Sequence, residues 1–234
     1  MQDRVVLITG AAGALGGAAA RAFFTEGANL ALVDRASDRL PRVFEDLSGS
    51  PRVLLISGID VTKEGSLREM AEKASARFSR IDVLVNIAGA YKGKAVLDED
   101  VSTWDFLMDL NARSVFLACR AVVPEMRRHG RGWVVNVGSP AALGASANGG
   151  VYAASKAAVL RLTEALSTEL KNEGINVNAV LPGTMDTPAN RAAMPGVDPA
   201  LWVTTEEVAE VIVFLASDKA RAIHGASVPV SGRA

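Results

Sequence analysis

The chain has 234 residues, of which 49% are hydrophobic and 22% are charged, and its formal net charge is −1. This is the composition of an ordinary globular protein that is long enough to bury a sizeable core. The charge balance provides no basic field for a nucleic acid, and no apolar stretch reaches the roughly 18 residues of a membrane-spanning helix. The sequence begins without a basic and apolar leader pattern, so we expect a cytoplasmic protein with no nucleic-acid or membrane partner.

Cysteine and histidine are too sparse for a disulfide framework or a cysteine-rich metal site. The chain has one cysteine, Cys119, and two histidines, His129 and His224, which are far apart in sequence. One cysteine cannot form a disulfide within the chain, and two distant histidines do not form a metal-binding pattern. We therefore expect no metal.

Short apolar runs bounded by Gly, Asp, Asn or Pro recur along the chain. They do not alternate with polar residues, which is typical of strands buried on both faces of a parallel sheet. The runs cover residues 5–8, 30–33, 53–56, 83–85, 134–137, 177–181 and 227–230. Between them, helical spacing occurs over 14–26, 66–78 and 206–216, the last preceded by a capping box of Thr204 and Glu207.

The alternation of strands and helices predicts an α/β fold. It indicates one doubly wound parallel sheet of about seven strands with about six helices on its two faces. No linker or repeat interrupts residues 1–234, so we predict a single domain.

A glycine cluster follows the first predicted strand. Gly10, Gly13 and Gly16, with Leu15 between the last two, lie between this strand and the first helix. Glycines there let the backbone approach a pyrophosphate at the positive end of a helix. A glycine pattern alone also fits a plain turn, but the strand before it and the helix after it favour dinucleotide binding.

Asp34 ends the second predicted strand, eighteen residues after Gly16. A carboxylate there accepts hydrogen bonds from both hydroxyls of an adenosine ribose and repels a 2′-phosphate, which favours NAD over NADP. Two alternatives remain open: Asp34 only caps the following loop, or Arg35, with Arg39, binds a phosphate.

Tyr152 and Lys156 stand four residues apart in a predicted helix, on one face. Taken alone, a Tyr-x-x-x-Lys pair occurs often by chance. Together with other motifs in the same order, however, it makes the sequence resemble the short-chain dehydrogenase/reductase family over essentially its whole length. The motifs are Thr9-Gly10-x-x-Gly13-x-x-Gly16, Asp60-Val61, Asn86-Ile87-Ala88-Gly89, Ser139 with Tyr152-x-x-x-Lys156, Pro182-Gly183-x-x-x-Thr187, and Asn111 within Leu110-Asn111-Ala112.

The resemblance implies a Rossmann-type fold, an NAD cofactor and a small carbonyl or alcohol substrate. Tyr152 is then the general acid or base, and Lys156 supports it and binds the nicotinamide ribose. Ser139 donates a hydrogen bond to the substrate oxygen, and Asn111 holds a relay water. Because an ammonium favours a nearby phenolate, we expect Lys156 to lower the pKa of Tyr152.

The resemblance also places the remaining cofactor contacts. Asp60 accepts from the adenine amino group, residues 86–89 pack on the adenine side and support the sheet centre, and residues 182–187 close on the nicotinamide. The predicted cofactor set is Gly10, Gly13, Leu15, Gly16, Asp34, Asp60, Val61, Asn86, Ala88, Gly89, Tyr152, Lys156, Pro182, Gly183 and Thr187.

The segment 184–203 has three prolines and little periodicity, and we predict that it forms a substrate lid. We expect the substrate wall to come from 90–98, 140–150 and 184–203, with Tyr91 and Trp202 among its members. Residues 181–202 are also similar to the corresponding stretch of quinonoid dihydropteridine reductase, a family member that uses NADH. A dihydropteridine-reductase-like enzyme and a non-catalytic NAD(H)-sensing protein therefore remain alternatives.

Two helices, the one after Asn111 and the one that carries Tyr152, are rich in apolar and small residues. More than one face of each helix looks buried, which a monomer does not require. We expect a homo-oligomer, a homotetramer or a homodimer.

Overall fold

Seven parallel strands form one sheet in the computed structural model, which describes residues 1–144 and 147–233. The strands are β1 (Val5–Thr9), β2 (Asn29–Asp34), β3 (Val53–Ser57), β4 (Val83–Asn86), β5 (Gly132–Val137), β6 (Ile175–Pro182) and β7 (Ser227–Val230). Each predicted apolar run is a strand. As the runs without alternation predicted, β1, β4, β5 and β6 are wholly buried and β2 is buried except at its two ends, whereas the edge strands β3 and β7 are mostly half-buried. The predicted α/β fold is confirmed.

Eight α-helices connect or flank the strands in the described part of the chain. They are α1 (Ala14–Thr25), α2 (Arg39–Val43), α3 (Glu64–Phe78), α4 (Val101–Leu107), α5 (Ser114–His129), α6 (Gly150–Leu170), α7 (Pro188–Ala193) and α8 (Thr205–Leu215). A π-helical segment, Met108–Arg113, joins α4 to α5. The number exceeds the expected six because the short helices α2 and α7 show no clear periodicity in the sequence. Thr204 and Glu207 form the predicted capping box of α8.

The strand order is β3-β2-β1-β4-β5-β6-β7. The chain therefore leaves β1 toward one edge of the sheet and returns at β4 to build toward the other edge. In such a doubly wound sheet the loops diverge at the carboxyl ends of β1 and β4 and leave a crevice between them. The fold places the glycine cluster after β1 and residues 87–89 after β4 at this crevice.

Helices pack on both faces of the sheet. On one face, Phe23 of α1 and Ile212 of α8 belong to an apolar cluster with the sheet. On the other face, Met70 of α3, Val122 of α5 and Val159 of α6 belong to a second cluster. Full burial of each such side chain contributes about 1.5–3 kcal/mol, so the sheet is a well-packed platform for the loops at its carboxyl edge.

Two kinds of feature are absent from the described residues. None of their helices combines the length and apolar character that crossing a bilayer requires. Their His, Cys, Asp and Glu side chains form no group of three or more that would suit a metal ion.

Candidate active site

A cavity of about 540 Å³ lies at the carboxyl edge of the sheet, where the strand order reverses. It is bounded by the loops after β1, β3 and β4, by the end of β2 and by the α4–π segment. Nine of the predicted cofactor residues line it: Gly10, Gly13, Leu15, Gly16, Asp34, Asp60, Val61, Ala88 and Gly89.

The glycine loop is a tight cradle at the start of α1. Gly10 has a φ of +68°, and a Cβ atom on Gly16 would lie 2.2 Å from the Gly10 carbonyl oxygen, so the loop can close only with glycine there. Gly13, the N-cap of α1, gives no side-chain hydrogen bond, and the first turn has no acidic residue. The positive end of α1 therefore faces the cavity without a capping side chain or an acidic residue in its first turn, which fits a bound diphosphate.

Asp34 joins the loop after β1 to the loop after β2. Its Oδ2 accepts a hydrogen bond from the backbone N–H of Ala12 at 3.1 Å, and its Oδ1 accepts one from Ala36 at 3.1 Å. Asp34 thus caps its own loop and also lines the cavity. Its capping role therefore does not prevent it from contacting a ribose. Each carboxylate oxygen retains a further lone pair for a ribose hydroxyl.

The two arginines near Asp34 also border the cavity. Arg39 donates from Nη2 to the carbonyl of Ala12 at 2.9 Å, so its guanidinium helps to fix the glycine loop. Arg35 is exposed.

Asp60 is held as an acceptor at the cavity wall. Its Oδ1 accepts from the Thr62 N–H at 3.0 Å and from the Thr62 hydroxyl at 2.7 Å. The hydrogen bond from the Thr62 side chain is the largest cause that lowers the pKa of Asp60 below its ordinary value. An ionised carboxylate in this place can accept a hydrogen bond from the adenine amino group.

The side chain of Asn86 points away from the cavity, so an adenine contact of this residue stays a prediction. Its buried side chain donates from Nδ2 to Oδ1 of Asn136 at 2.8 Å, and Asn136 donates in turn to the Thr163 hydroxyl at 2.9 Å. Asn86 is the last residue of β4, and its side chain is used between β4, β5 and α6 rather than in the cavity. Its role is the support of the sheet centre, the other part of the prediction.

Pro182 is the last residue of β6, and Gly183 and Thr187 follow it. None of the three is part of the cavity lining. The N–H of Gly183 donates to the Val230 carbonyl at 2.9 Å, and the Thr187 hydroxyl caps α7 by accepting from the Asn190 N–H at 3.2 Å. Met185, which lies between them, does line the cavity.

The segment 184–203 is closed on itself. Met185 and Val203 form a bridge, and the N–H of Asp186 donates to the Val203 carbonyl at 2.8 Å. Arg191 binds both carboxylate oxygens of Asp186, at 2.6 and 2.7 Å. Trp202 is only 5% exposed, and its place in the substrate wall stays a prediction. Residues 145 and 146 of the predicted wall lie outside the described residues.

The Ser139, Tyr152 and Lys156 side chains come together beside this cavity. Ser139 follows β5 and caps the short helical turn Pro140–Ala142, accepting a hydrogen bond from the Ala141 N–H at 3.2 Å. Tyr152 stands in the first turn of α6, and Ser139 is close enough to its phenol to act on the pKa of that group. Lys156 lies one turn further, buried, and donates from Nζ to the Val137 carbonyl at 2.8 Å.

Asn111 links this cluster to the loop after β4. Its Oδ1 accepts from the Ala90 N–H at 2.9 Å, and its Nδ2 donates to the Ala90 carbonyl and to Ser155, both at 3.0 Å. Ser155 donates in turn to the Tyr152 carbonyl at 2.7 Å. A Cβ atom on Gly89 would lie 2.9 Å from Asn111 Oδ1 and 3.4 Å from Lys156 Nζ, so the lysine adjoins the cavity wall at Gly89.

The electrostatics differ from the expected pattern. The pKa of Tyr152 is raised above its ordinary value, and burial is the largest cause, although the Ser139 hydrogen bond opposes it. Burial also lowers the pKa of Lys156 to about 8. The expected lowering of the Tyr152 pKa by Lys156 is therefore wrong for the protein without its cofactor. The lysine loses its proton before the phenol does, and a neutral amine cannot stabilise a phenolate by charge.

Sequence reasoning missed Phe106 and Asp109, which line the cavity from α4 and the π-helical segment. Phe106 has no sequence signal, because a single apolar residue in a helix resembles a core residue. Asp109 stands two residues before the predicted site residue Asn111, and this closeness in sequence could have pointed to it.

Comparisons with known proteins agree with this arrangement. A family model described as short chain dehydrogenase matches residues 4–197. The chain is 33% identical to 3-oxoacyl-(acyl-carrier-protein) reductase of Thermotoga maritima, over 99% of this chain and 98% of that protein. It is 37% identical to cis-4-hydroxycyclohexanecarboxylate dehydrogenase of Sinomonas cyclohexanicum, over 98% and 96%.

Among solved structures, levodione reductase is similar with a TM-score of 0.90 and 31% identity, over 99% of this chain and 97% of that one. The fold agrees with that of the solved structure, and each match covers nearly the full length of both chains. The chain therefore belongs to the short-chain dehydrogenase/reductase family of oxidoreductases.

Proposed function

We propose that this protein is an NAD(H)-dependent oxidoreductase that transfers a hydride between nicotinamide and a small carbonyl or alcohol substrate. One observation carries the proposal: Tyr152, with Ser139 near its phenol and Lys156 one turn away, stands beside a cavity whose glycine loop and carboxylates suit a dinucleotide. The names of two relatives, a reductase of a 3-oxoacyl group and a dehydrogenase of a hydroxycyclohexane, support the same class of substrate.

The residues that would hold the cofactor are distributed along the cavity. The start of α1 would bind the diphosphate, Asp34 the adenosine ribose and Asp60 the adenine amino group. The carboxylate of Asp34 favours NAD, because a 2′-phosphate placed there would meet a negative charge. Lys156 would reach the nicotinamide ribose past Gly89. The nicotinamide supplies or accepts the hydride when it is bound.

Tyr152 moves the proton. Its raised pKa keeps the phenol protonated at neutral pH, so it can give its proton to the carbonyl oxygen during reduction. In the oxidation direction the phenol would first have to lose its proton, and the phenolate would then take the proton of the alcohol. Ser139 would donate a hydrogen bond to the same oxygen and stabilise the negative charge that develops there. After Tyr152 has given up its proton, the ammonium of Lys156 would favour reprotonation of the phenolate through a water near Asn111.

The proposed lid, cellular location and oligomeric state follow from the sequence. The segment 184–203 would cover the substrate as a lid, and its place next to the cavity through Met185 supports that role. We also expect a cytoplasmic homo-oligomer.

A spectrophotometric screen tests the proposal. Ketones, secondary alcohols and a quinonoid dihydropterin are offered with NADH or NAD, and the absorbance of NADH is followed. We expect turnover of at least one ketone or alcohol and its loss in Tyr152→Phe. Turnover of the dihydropterin alone would favour the dihydropteridine-reductase-like alternative, and binding of NADH with no turnover of any substrate would favour a non-catalytic sensor.

A further inference from the structure

A second tyrosine stands beside the proposed catalytic one. The ring centroids of Tyr91 and Tyr152 lie 5.0 Å apart, and the ring planes meet at 78°, an edge-to-face arrangement. Such aromatic pairs are stabilised by about 0.5–1.5 kcal/mol beyond the burial of their area. Tyr91 is 65% exposed, so a large part of its flat ring remains accessible next to Tyr152.

Tyr91 is held in this orientation from its far end. Its hydroxyl donates a hydrogen bond to the carbonyl of Asn148 at 3.2 Å. A Cβ atom on Gly93 would lie 2.3 Å from the same carbonyl oxygen and 2.4 Å from the Tyr91 hydroxyl, so only glycine allows the two segments to approach this closely. The ring of Tyr91 is therefore part of a built wall, tied to the residues that lead into α6.

An exposed apolar residue, Val96, lies next to this wall. Val96 is 62% exposed, and its Cγ2 lies 2.4 Å from the position of a Cβ on Gly150, two residues before Tyr152. The lysines of this segment have other partners: Lys94 pairs with Asp100 at 3.2 Å, and the ammonium of Lys92 lies 4.7 Å from the centre of the Phe106 ring.

We propose that Tyr91 determines specificity: its ring is the wall against which an apolar ring of the substrate packs while the substrate oxygen meets Tyr152. A flat, already oriented side chain gains contact area with a cyclic substrate and little with a flexible chain, which must also lose rotational freedom on binding. The preferred substrates are therefore cyclic ketones or cyclic secondary alcohols. This inference rests on the proposed function and names the substrate class of that site.

The test compares cyclohexanone with 2-hexanone, which have the same number of carbon atoms. For the wild type we expect kcat/KM to be at least about tenfold higher for the cyclic ketone. Tyr91→Ala should reduce that ratio about tenfold, mainly through KM for the cyclic ketone, because the wall is lost. Tyr91→Phe keeps the ring and loses only the bond to Asn148, so its ratio should stay within about threefold of the wild type.

Binding of NADH to each variant, followed by fluorescence, is the control for folding and for the cofactor site. An unchanged ratio in Tyr91→Ala, or a wild type that prefers the open-chain ketone, would overturn the inference and leave the proposed function intact. An equal loss of the ratio in Tyr91→Phe and Tyr91→Ala would also overturn it, since the hydroxyl rather than the ring would then be responsible. Absence of turnover of any carbonyl or alcohol would contradict the proposed function, and this inference with it.

Discussion

The ammonium of Lys156 donates a hydrogen bond to the backbone carbonyl of Val137, 2.8 Å away. Val137 ends β5, two residues before Ser139, so this bond connects the helix that carries Tyr152 to the strand that leads to the serine. The lysine is only 5% exposed, and burial lowers its pKa from the ordinary 10.5 to about 8. At neutral pH the folded protein thus keeps a charged ammonium at a buried position, where burial disfavours the charged form.

Replacing this lysine should stabilise the protein while removing activity. Because the folded pKa lies below the unfolded one, the unfolded state binds more protons between the two values, and stability rises with pH in that range. The penalty is fully present below the folded pKa and amounts to about 3 kcal/mol near pH 7. Lys156→Met should therefore gain more stability at about pH 7 than at about pH 10, by about 2 kcal/mol.

Urea unfolding of the wild type and Lys156→Met at both pH values measures this difference. Lys171→Met, which removes an exposed lysine just beyond the same helix, is the matched control and should show little change. A gain for Lys156→Met that is equal at the two pH values, or larger at the higher one, would contradict the account.

The phenol of Tyr152 should ionise late in the protein without cofactor. Burial raises its pKa, and Lys156 is already neutral when the phenol begins to titrate. The chain has only two tyrosines, so the phenolate absorbance of the wild type minus that of Tyr152→Phe isolates this group. We expect the difference to appear above about pH 10, the value of free tyrosine. If a phenolate signal appeared near neutral pH in the wild type and persisted in Tyr91→Phe, it would belong to Tyr152. That result would contradict a raised pKa for Tyr152.

Asp34 should control the choice between NADH and NADPH. The wild type should bind NADH at least about tenfold more tightly, because a 2′-phosphate would meet the carboxylate. Asp34→Asn keeps the shape of the side chain and removes the charge, so the difference should shrink. Asp38→Asn, at an exposed aspartate just before α2, is the control for distant charge and should leave the preference unchanged.

Fluorescence titration with both reduced cofactors makes the comparison. Tighter binding of NADPH to the wild type would refute the cofactor preference and would assign the exposed Arg35 as the phosphate ligand.

Large parts of the fold followed from patterns in the sequence. The unbroken apolar runs marked the strands because both faces of a parallel sheet are covered, and the helical spacing marked α1, α3 and α8 within two residues. The glycine cluster and Asp34 were found because their function requires a fixed place between a strand and a helix. Their position at the cavity needed only the strand order that the alternation implies.

Other features depend on contacts between distant residues. The side chain of Asn86 turned to Asn136 because of the register between β4 and β5, which the sequence does not state. The pKa of Tyr152 depends on burial, and the packing of Tyr91 on Tyr152 joins residues in different segments of the chain. The π-helical turn that presents Asn111 has no recognised sequence pattern at all.

The exposed faces of α5 and α6 should hold copies of the chain together. Phe116 on α5 is 45% exposed, and Ala165 on α6 is exposed as well. Phe116→Asp or Ala165→Arg should lower the mass measured by sedimentation at micromolar concentration, because a charge would enter an apolar contact. Glu72→Arg on α3 is the control and should not change the mass. A monomeric wild type would rule out the homo-oligomer.

Turnover of Tyr152→Phe, measured together with its affinity for NADH, tests the central claim most directly. The substitution removes one oxygen atom, which is the proposed proton donor and acceptor next to Ser139. We predict that the rate falls by about 10² to 10⁴ with the best ketone of the screen, as expected for loss of a general acid, while NADH binding stays close to that of the wild type. Turnover close to that of the wild type in Tyr152→Phe would contradict the account, because Tyr152 and Lys156 would then be packing residues and the proton would come from elsewhere.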